Sequence, residues 1–209
     1  MKARETKKAK QTKPSMKPGP SKKEQSKPQK KEEKETPVAD PGIDCSFAQL
    51  VKVVMDDENG QIKNSGKWPL IIDPNGRVGT FMQYQNTNYL CGLNSKDMSA
   101  EGLRMGLLGS LRYGKTFVID MMEADLFESL FEMYDRVQPG LMKDIMSKEI
   151  TKEEKYLALV KSSDPDDYQP TTYPAYMVHE FRFILITSVK ENLNTSMVEQ
   201  TFPIRIKMN

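Results

Sequence analysis

Histidine, tryptophan and cysteine are scarce in this chain of 209 residues, which contains one His, one Trp and two Cys. Because His179 is the single histidine, a metal site built from several histidines is excluded. A Ser-His-Asp triad accompanied by a second histidine is excluded as well. We interpret His179 as an ordinary residue at the entrance to a strand. Cys45 and Cys91 lie far apart, with no second Cys or His at metal-ligand spacing. We therefore predict no metal site.

Long apolar runs are also absent, and the chain has no apolar leader segment. A membrane span needs about 20 consecutive apolar residues, so we predict none. Together with the two unpaired-looking cysteines, this pattern predicts a reduced, intracellular, soluble protein with a cytoplasmic location. A nuclear location is the alternative, because lysine pairs such as Lys7-Lys8 and Lys30-Lys31 resemble nuclear localisation signals.

Residues 1–42 have no Leu, Ile, Phe, Tyr or Trp, and their only branched aliphatic residue is Val38. Such a segment cannot bury enough apolar surface to offset its ordering entropy, so we predict a disordered tail. The tail holds 13 Lys and Arg against 6 Asp and Glu, a net charge of +7; the total of +2 leaves −5 for residues 43–209. A basic tail on an acidic body is attracted to polyanions such as microtubules, nucleic acid or acidic membranes. A solvating tail without a dedicated partner is the alternative.

Beyond the tail, we interpret residues 43–65 as a linker with a short helix and residues 66–209 as one domain. Short apolar runs alternate with amphipathic segments, which predicts an α/β fold with a single, mainly parallel, five-stranded sheet flanked by helices. The helix predictions include Ser99–Tyr113, with Ser99 as N-cap and Gly114 as the stop. The predicted strands are Trp68–Asp73, Tyr89–Leu93, Thr116–Asp120, Phe181–Thr187 and Phe202–Lys207.

One stretch matches the phosphate-binding loop pattern G-x-x-x-x-G-K-S/T at every fixed position: Gly109, Gly114, Lys115 and Thr116. A working phosphate loop follows a strand and opens a helix, so that free backbone N–H groups converge on the phosphates. Here the match spans the end of a predicted helix and the start of a predicted strand. We therefore expect its N–H groups to be committed to helix and sheet hydrogen bonds. The match to the phosphate-loop pattern is then a chance occurrence in the sequence and does not indicate a phosphate site.

In a nucleotide-binding α/β sheet the phosphate loop should follow the first strand, which places it at residues 73–80. That segment offers Gly76, Gly79 and Thr80 but no lysine, so the point charge that meets the β and γ phosphates is missing. An ordinary turn is our preferred interpretation, and an ATP and Mg²⁺ site at either loop is the alternative.

The segment Trp68-Pro-Leu-Ile-Ile-Asp-Pro-Asn-Gly76 resembles the opening of the fifth AAA+ module of dynein heavy chains. Leu108 to Asp120 is similar to that module's helix, arginine-aromatic-Gly-Lys turn and third strand, and Phe181 to Ser188 and Phe202 to Met208 resemble its fourth and fifth strands. The resemblance covers about residues 66–209. The chain looks closer to the degenerate form of this module at the C-terminus of IQ-motif and ankyrin-repeat-containing proteins than to the dynein form.

The resemblance implies a degenerate phosphate-loop, AAA+-like fold. Asp120 falls at the position of a magnesium-binding acid and Thr187 at a polar sensing position, but Met121 stands where a second acid would activate water. The sequence stops at the fifth strand, so we expect the small helical lid to be lacking.

Two functions follow as expectations. The first is a non-catalytic interaction or scaffold protein associated with the cytoskeleton or a cilium, with protein partners that include microtubule-associated ones. The second is a nucleotide-binding protein or ATPase that uses residues 109–116 or 73–80. Specific nucleic-acid binding through the tail is not expected, because the tail lacks aromatic stacking residues.

Overall fold

A computed structural model describes residues 42–207, which belong to one compact unit. The predicted disordered tail, apart from Gly42, lies outside the described residues. Six strands are present among them: β1 (Ile43–Ser46), β2 (Pro69–Ile72), β3 (Thr87–Cys91), β4 (Thr116–Asp120), β5 (Arg182–Thr187) and β6 (Phe202–Lys207). The helices are α1 (Gln61–Ser65), α2 (Arg77–Gln83), α3 (Ala100–Tyr113), α4 (Phe127–Asp135), α5 (Leu141–Met146), α6 (Glu153–Leu157), α7 (Ala175–His179) and α8 (Thr195–Gln200).

All strand pairs in the sheet are parallel, and the strand order is β1-β6-β2-β5-β4-β3. The predicted α/β fold is therefore confirmed, with one strand more than the five expected. The additional strand, β1, falls in the segment that we interpreted as a linker. It pairs only with β6, and only its Cys45 is buried. A short edge strand of this kind has no continuous apolar run to reveal it.

The two faces of the sheet carry separate apolar clusters because neighbouring side chains of a strand point to opposite faces. In β2, Leu70 and Ile72 belong to the larger cluster, which includes residues of α3, α4 and α5. Ile71 belongs to the smaller cluster, which includes Val78 and Met82 of α2. Both faces of the central strands are thus covered, as the near-continuous apolar runs predict.

Helix α3 ends where its sequence signals indicate. The Ser99 hydroxyl accepts the N–H of Gly102 at 3.0 Å, as an N-cap does. At the other end Gly114 has a left-handed backbone (φ 61°), and its N–H donates to the carbonyl of Ser110. The predicted stop at Gly114 is confirmed. Strand β4 starts at Thr116, one residue after Lys115.

The acidic loop after α6 is tied to the core. Arg104 of α3 is only 3% exposed and donates two hydrogen bonds to the carboxylate of Asp164, at 2.8 and 2.6 Å. A buried guanidinium requires a charged partner, so Asp164 is a buried member of this loop although the loop is polar in sequence. The guanidinium lowers the pKa of Asp164 to about 2.

Candidate functional site

The strongest candidate site is a crevice at the carboxyl ends of β2 and β5. After β2 the chain runs through α2 to β3 at one edge of the sheet, whereas after β5 it runs through α8 to β6 on the other side of β2. Neighbouring strands whose connections leave in opposite directions form a topological switch point, where open α/β sheets bind their ligands. The crevice is bordered by residues 73–80, which form the loop after β2 and the first turn of α2, and by the ends of β4 and β5.

The loop after β2 is organised around the carboxylate of Asp73, which is fully buried. One of its oxygens accepts the N–H of Asn75 at 3.1 Å, and the other accepts the N–H of Val78 at 2.7 Å. The Asp73 carbonyl also accepts the N–H of Gly76 at 3.0 Å. Backbone amides at the start of a helix are natural donors to an anion. Here the anion they meet is a carboxylate of the loop itself.

Asp120, at the end of β4, has both of its oxygens engaged by protein donors. Oδ2 accepts the hydroxyl of Tyr89 at 2.7 Å, and Oδ1 accepts the N–H of Met122 at 2.9 Å. Burial, followed by the hydrogen bond to Asp120, raises the pKa of the Tyr89 phenol, so this hydroxyl stays a donor. A carboxylate bound in this way is held in place rather than presented to a ligand.

Gly79, the third residue of α2, lies directly against Asp120. A Cβ atom at this position would come within 2.1 Å of Asp120 Oδ2 and 3.1 Å of the Tyr89 hydroxyl. No side chain larger than hydrogen therefore fits, and the loop backbone packs directly against the carboxylate. On this side Asp120 is therefore covered by the backbone of Gly79 and by the Tyr89 hydroxyl.

Thr187 and Ser188 close the crevice from the side of β5, and both are buried. The Thr187 carbonyl accepts the N–H of Asp73 at 2.9 Å, and its hydroxyl accepts the N–H of Val189 at 3.2 Å. The N–H of Ser188 donates to the carbonyl of Met122 at 2.6 Å. These bonds link three loops to one another, so the site is a satisfied network.

The exact phosphate-loop match lies at the opposite end of the sheet. The N–H groups of Gly114 and Lys115 both donate to the carbonyl of Ser110, the latter at 3.0 Å. Thr116 begins β4, and Asp120 ends it, so these two residues are about 13 Å apart at the usual rise per residue of a strand. Gly109 lies inside α3.

The candidate residues from the sequence thus fall into two groups. The structure brings Gly76, Gly79, Asp120 and Thr187 together at one crevice, and it places Thr80 on the exposed side of α2. The other group, Gly109, Gly114, Lys115 and Thr116, is not part of it.

Sequence reasoning missed the three groups that close the crevice, namely the side chains of Asp73 and Tyr89 and the backbone of Met122. A signal existed for Asp73, because Asp-Pro-Asn-Gly is a turn sequence in which an aspartate bonds to amides two or more residues on. No local signal marks Tyr89, which meets Asp120 from 31 positions away in the chain.

No protein-family model matches the chain, and no solved structure matches it. The likeness to the dynein module therefore remains a proposal that rests on the residues quoted above. Between residues 42 and 207, no helix is long and apolar enough to cross a lipid bilayer.

Proposed function

We propose that the chain is a non-catalytic interaction protein built on a degenerate, dynein-type AAA+ domain. The observation that carries the proposal is the closed crevice at the switch point. The carboxylate of Asp73 occupies the loop amides, and both oxygens of Asp120 accept protein hydrogen bonds. Gly79 lies so close to Asp120 that a side chain at this position would not fit. At the edge of the sheet where a ligand would bind, the polar groups are hydrogen-bonded to one another. A domain of this kind is suited to a structural role.

Nucleotide binding is the test of this proposal. The full-length chain is titrated with a fluorescent ATP analogue in the presence of Mg²⁺, and anisotropy is followed. We expect no saturable binding in the micromolar range, because the amides and carboxylates that would hold the phosphates and the metal are already paired. Saturable micromolar binding would contradict the non-catalytic proposal.

A second candidate function, nucleotide binding, is favoured by one observation: the crevice lies at the switch point, where such sheets bind ligands. Two variants assign any binding that is observed. Loss of affinity in Lys115→Ala would locate the nucleotide at residues 109–116. If Asp120→Asn loses nucleotide affinity and Lys115→Ala retains it, the nucleotide binds at residues 73–80. A matched control is Lys143→Gln, which alters an exposed residue of α5 far from both loops in sequence.

Association with the cytoskeleton is the finer part of the proposal, and it is supported by the dynein resemblance and by charge. Residues 1–42 carry a net charge of +7 and residues 43–209 a net charge of −5. A separate basic segment is attracted to the acidic surface of a microtubule even when the body of the protein is repelled by it. The partners we propose are accordingly proteins, among them microtubule-associated ones, in the cytoplasm or a cilium.

Co-sedimentation with polymerised tubulin tests this part. We expect the full-length chain to pellet with microtubules at low salt, and the bound fraction to fall as salt screens the charges. Replacing the tail lysines Lys7, Lys8 and Lys30 by Gln should weaken pelleting. The matched control replaces three exposed lysines of the domain, Lys96, Lys143 and Lys190. Equal effects of both triple variants, or no pelleting at all, would contradict a tail-mediated association.

A further inference from the structure

A cleft of about 360 Å³ opens at the amino ends of β2 and β5, on the edge of the sheet opposite to the closed crevice. We call it the amino-edge cleft. Its apolar lining includes Val54, Ile62, Trp68 and Phe181. The volume lies at the lower end of the range of pockets that hold small organic ligands, which are also mostly apolar with a few placed polar groups.

The floor of the amino-edge cleft is rigid. The indole N–H of Trp68 donates to the carbonyl of Ile145 at 2.7 Å, and its ring makes edge contacts with Phe181 and Phe183 at centroid distances of 5.9 and 6.5 Å. An aromatic side chain fixed by a hydrogen bond and two ring contacts does not need to be ordered by a ligand. The floor is therefore already arranged for binding.

Lys148 supplies an unpaired positive charge to this apolar floor. Its ammonium lies 4.5 Å from the centroid of the Trp68 ring, and none of the ion pairs within residues 42–207 involves it. Burial lowers the pKa of Lys148. Its backbone is left-handed (φ 66°), a conformation that a lysine adopts only when the surrounding structure holds it there.

The other charged groups of the amino-edge cleft do not neutralise Lys148. Asp57 accepts the N–H groups of Ile62 and Lys63, at 3.1 and 2.9 Å, and so is engaged with α1. The guanidinium of Arg182 donates to the carbonyl of Met55. Exposed groups, Asp56, Lys63 and His179, stand at the rim.

We infer that the amino-edge cleft binds a small amphipathic carboxylate, whose apolar part lies on Trp68 and whose anionic group pairs with Lys148. An apolar body matches the aromatic and aliphatic lining, and one negative charge matches the half-buried ammonium of Lys148, which has no carboxylate partner among residues 42–207. Carboxylate and ammonium would meet partly out of water, where a charge-assisted hydrogen bond is strong. This inference does not depend on the proposed interaction function.

The single tryptophan makes the inference directly measurable, because Trp68 is part of the cleft and is the only Trp of the chain. The full-length protein is titrated with octanoate, and Trp68 fluorescence is recorded. Octanamide serves as the uncharged probe of the same shape. We expect a saturable fluorescence change with octanoate and an affinity about tenfold lower for octanamide, as the loss of one charge-assisted hydrogen bond implies.

Variants at Lys148 test whether its ammonium recognises the negative charge of the ligand. Lys148→Gln should reduce octanoate affinity to that of octanamide, whereas Lys148→Arg should retain the preference for octanoate. The matched control Lys143→Gln, on the neighbouring helix and outside the cleft, should bind octanoate as the unaltered chain does. Equal binding of octanoate and octanamide to the unaltered chain, or no saturable change, overturns the inference even if Lys148→Gln does not fold.

Discussion

Gly79→Ala is the sharpest perturbation of the closed crevice. The new Cβ would lie 2.1 Å from Asp120 Oδ2. Asp120 cannot simply rotate away, because it is 3% exposed and its two oxygens are held by Tyr89 and Met122. We therefore expect the alanine to push α2 away from β4 or to break the bond between Tyr89 and Asp120.

Three contributions set the expected size of the effect. Overpacking a buried position costs about 1–3 kcal/mol, and leaving a buried carboxylate oxygen without its donor adds about 1–3 kcal/mol. The higher helix propensity of alanine stabilises the folded variant by about 1 kcal/mol and partly offsets these costs. The net loss in free energy of unfolding should be about 3 kcal/mol, a large part of the roughly 5–15 kcal/mol of a typical domain.

Urea unfolding followed by Trp68 fluorescence measures this loss, and a double-mutant cycle tests its cause. In an Asp120→Ala background the clash is gone, so Gly79→Ala should become neutral or stabilise by up to about 1 kcal/mol. Gly109→Ala is the matched control, since its Cβ would have no contact closer than 3.4 Å. If Gly79→Ala had no cost in the unaltered chain, Asp120 would be free to move and the argument for a closed crevice would fail.

Three further predictions concern the charged groups. Asp164→Ala should lower the free energy of unfolding by about 3–5 kcal/mol in urea titrations, because Arg104 stays buried without its partner; a loss below about 1 kcal/mol would refute this. Arg104 lowers the pKa of both Asp164 and Glu101 to about 2. The stability that these two carboxylates contribute is therefore complete above their unfolded pKa values near 4, and it is lost as the pH falls towards 2. Urea unfolding midpoints at pH 6, 4 and 2.5 measure this loss, and a midpoint that does not change with pH would contradict it. Lys115→Ala should change the free energy of unfolding by less than about 0.5 kcal/mol, and a larger loss would assign its side chain a structural role.

The elements that the sequence predicted are those with strong local signals. Strands β2, β4 and β5 contain apolar runs of three or four residues, β6 has four apolar residues among its first five, and α3 carries an N-cap at Ser99 and a stop at Gly114. The start of helix α2 has a weaker local signal. Asp73 ties the loop amides into a tight turn, so that the helix begins directly after Gly76.

The elements that the sequence did not predict depend on tertiary contacts. Strand β1 exists because β6, about 160 residues later, offers it an edge. Helices α5 and α7 have 6 and 5 residues, which is too short for local propensity to sustain them without packing. The bond between Tyr89 and Asp120 joins two strands through side chains that no periodicity connects. The closed state of the crevice could therefore not be predicted from local sequence patterns.

The hydrogen bonds of the crevice also set a limit on nucleotide affinity. To admit phosphates and a metal ion, the loop would have to release the two amide bonds to Asp73 and the two donors to Asp120. At about 1 kcal/mol for each bond, opening costs about 4 kcal/mol, which divides any intrinsic affinity by about a thousand. A site with micromolar intrinsic affinity would then bind only in the millimolar range. Residues 73–80 contain no lysine to meet the β and γ phosphates, which lowers the expected affinity further and supports our proposal that this edge of the sheet does not bind nucleotide.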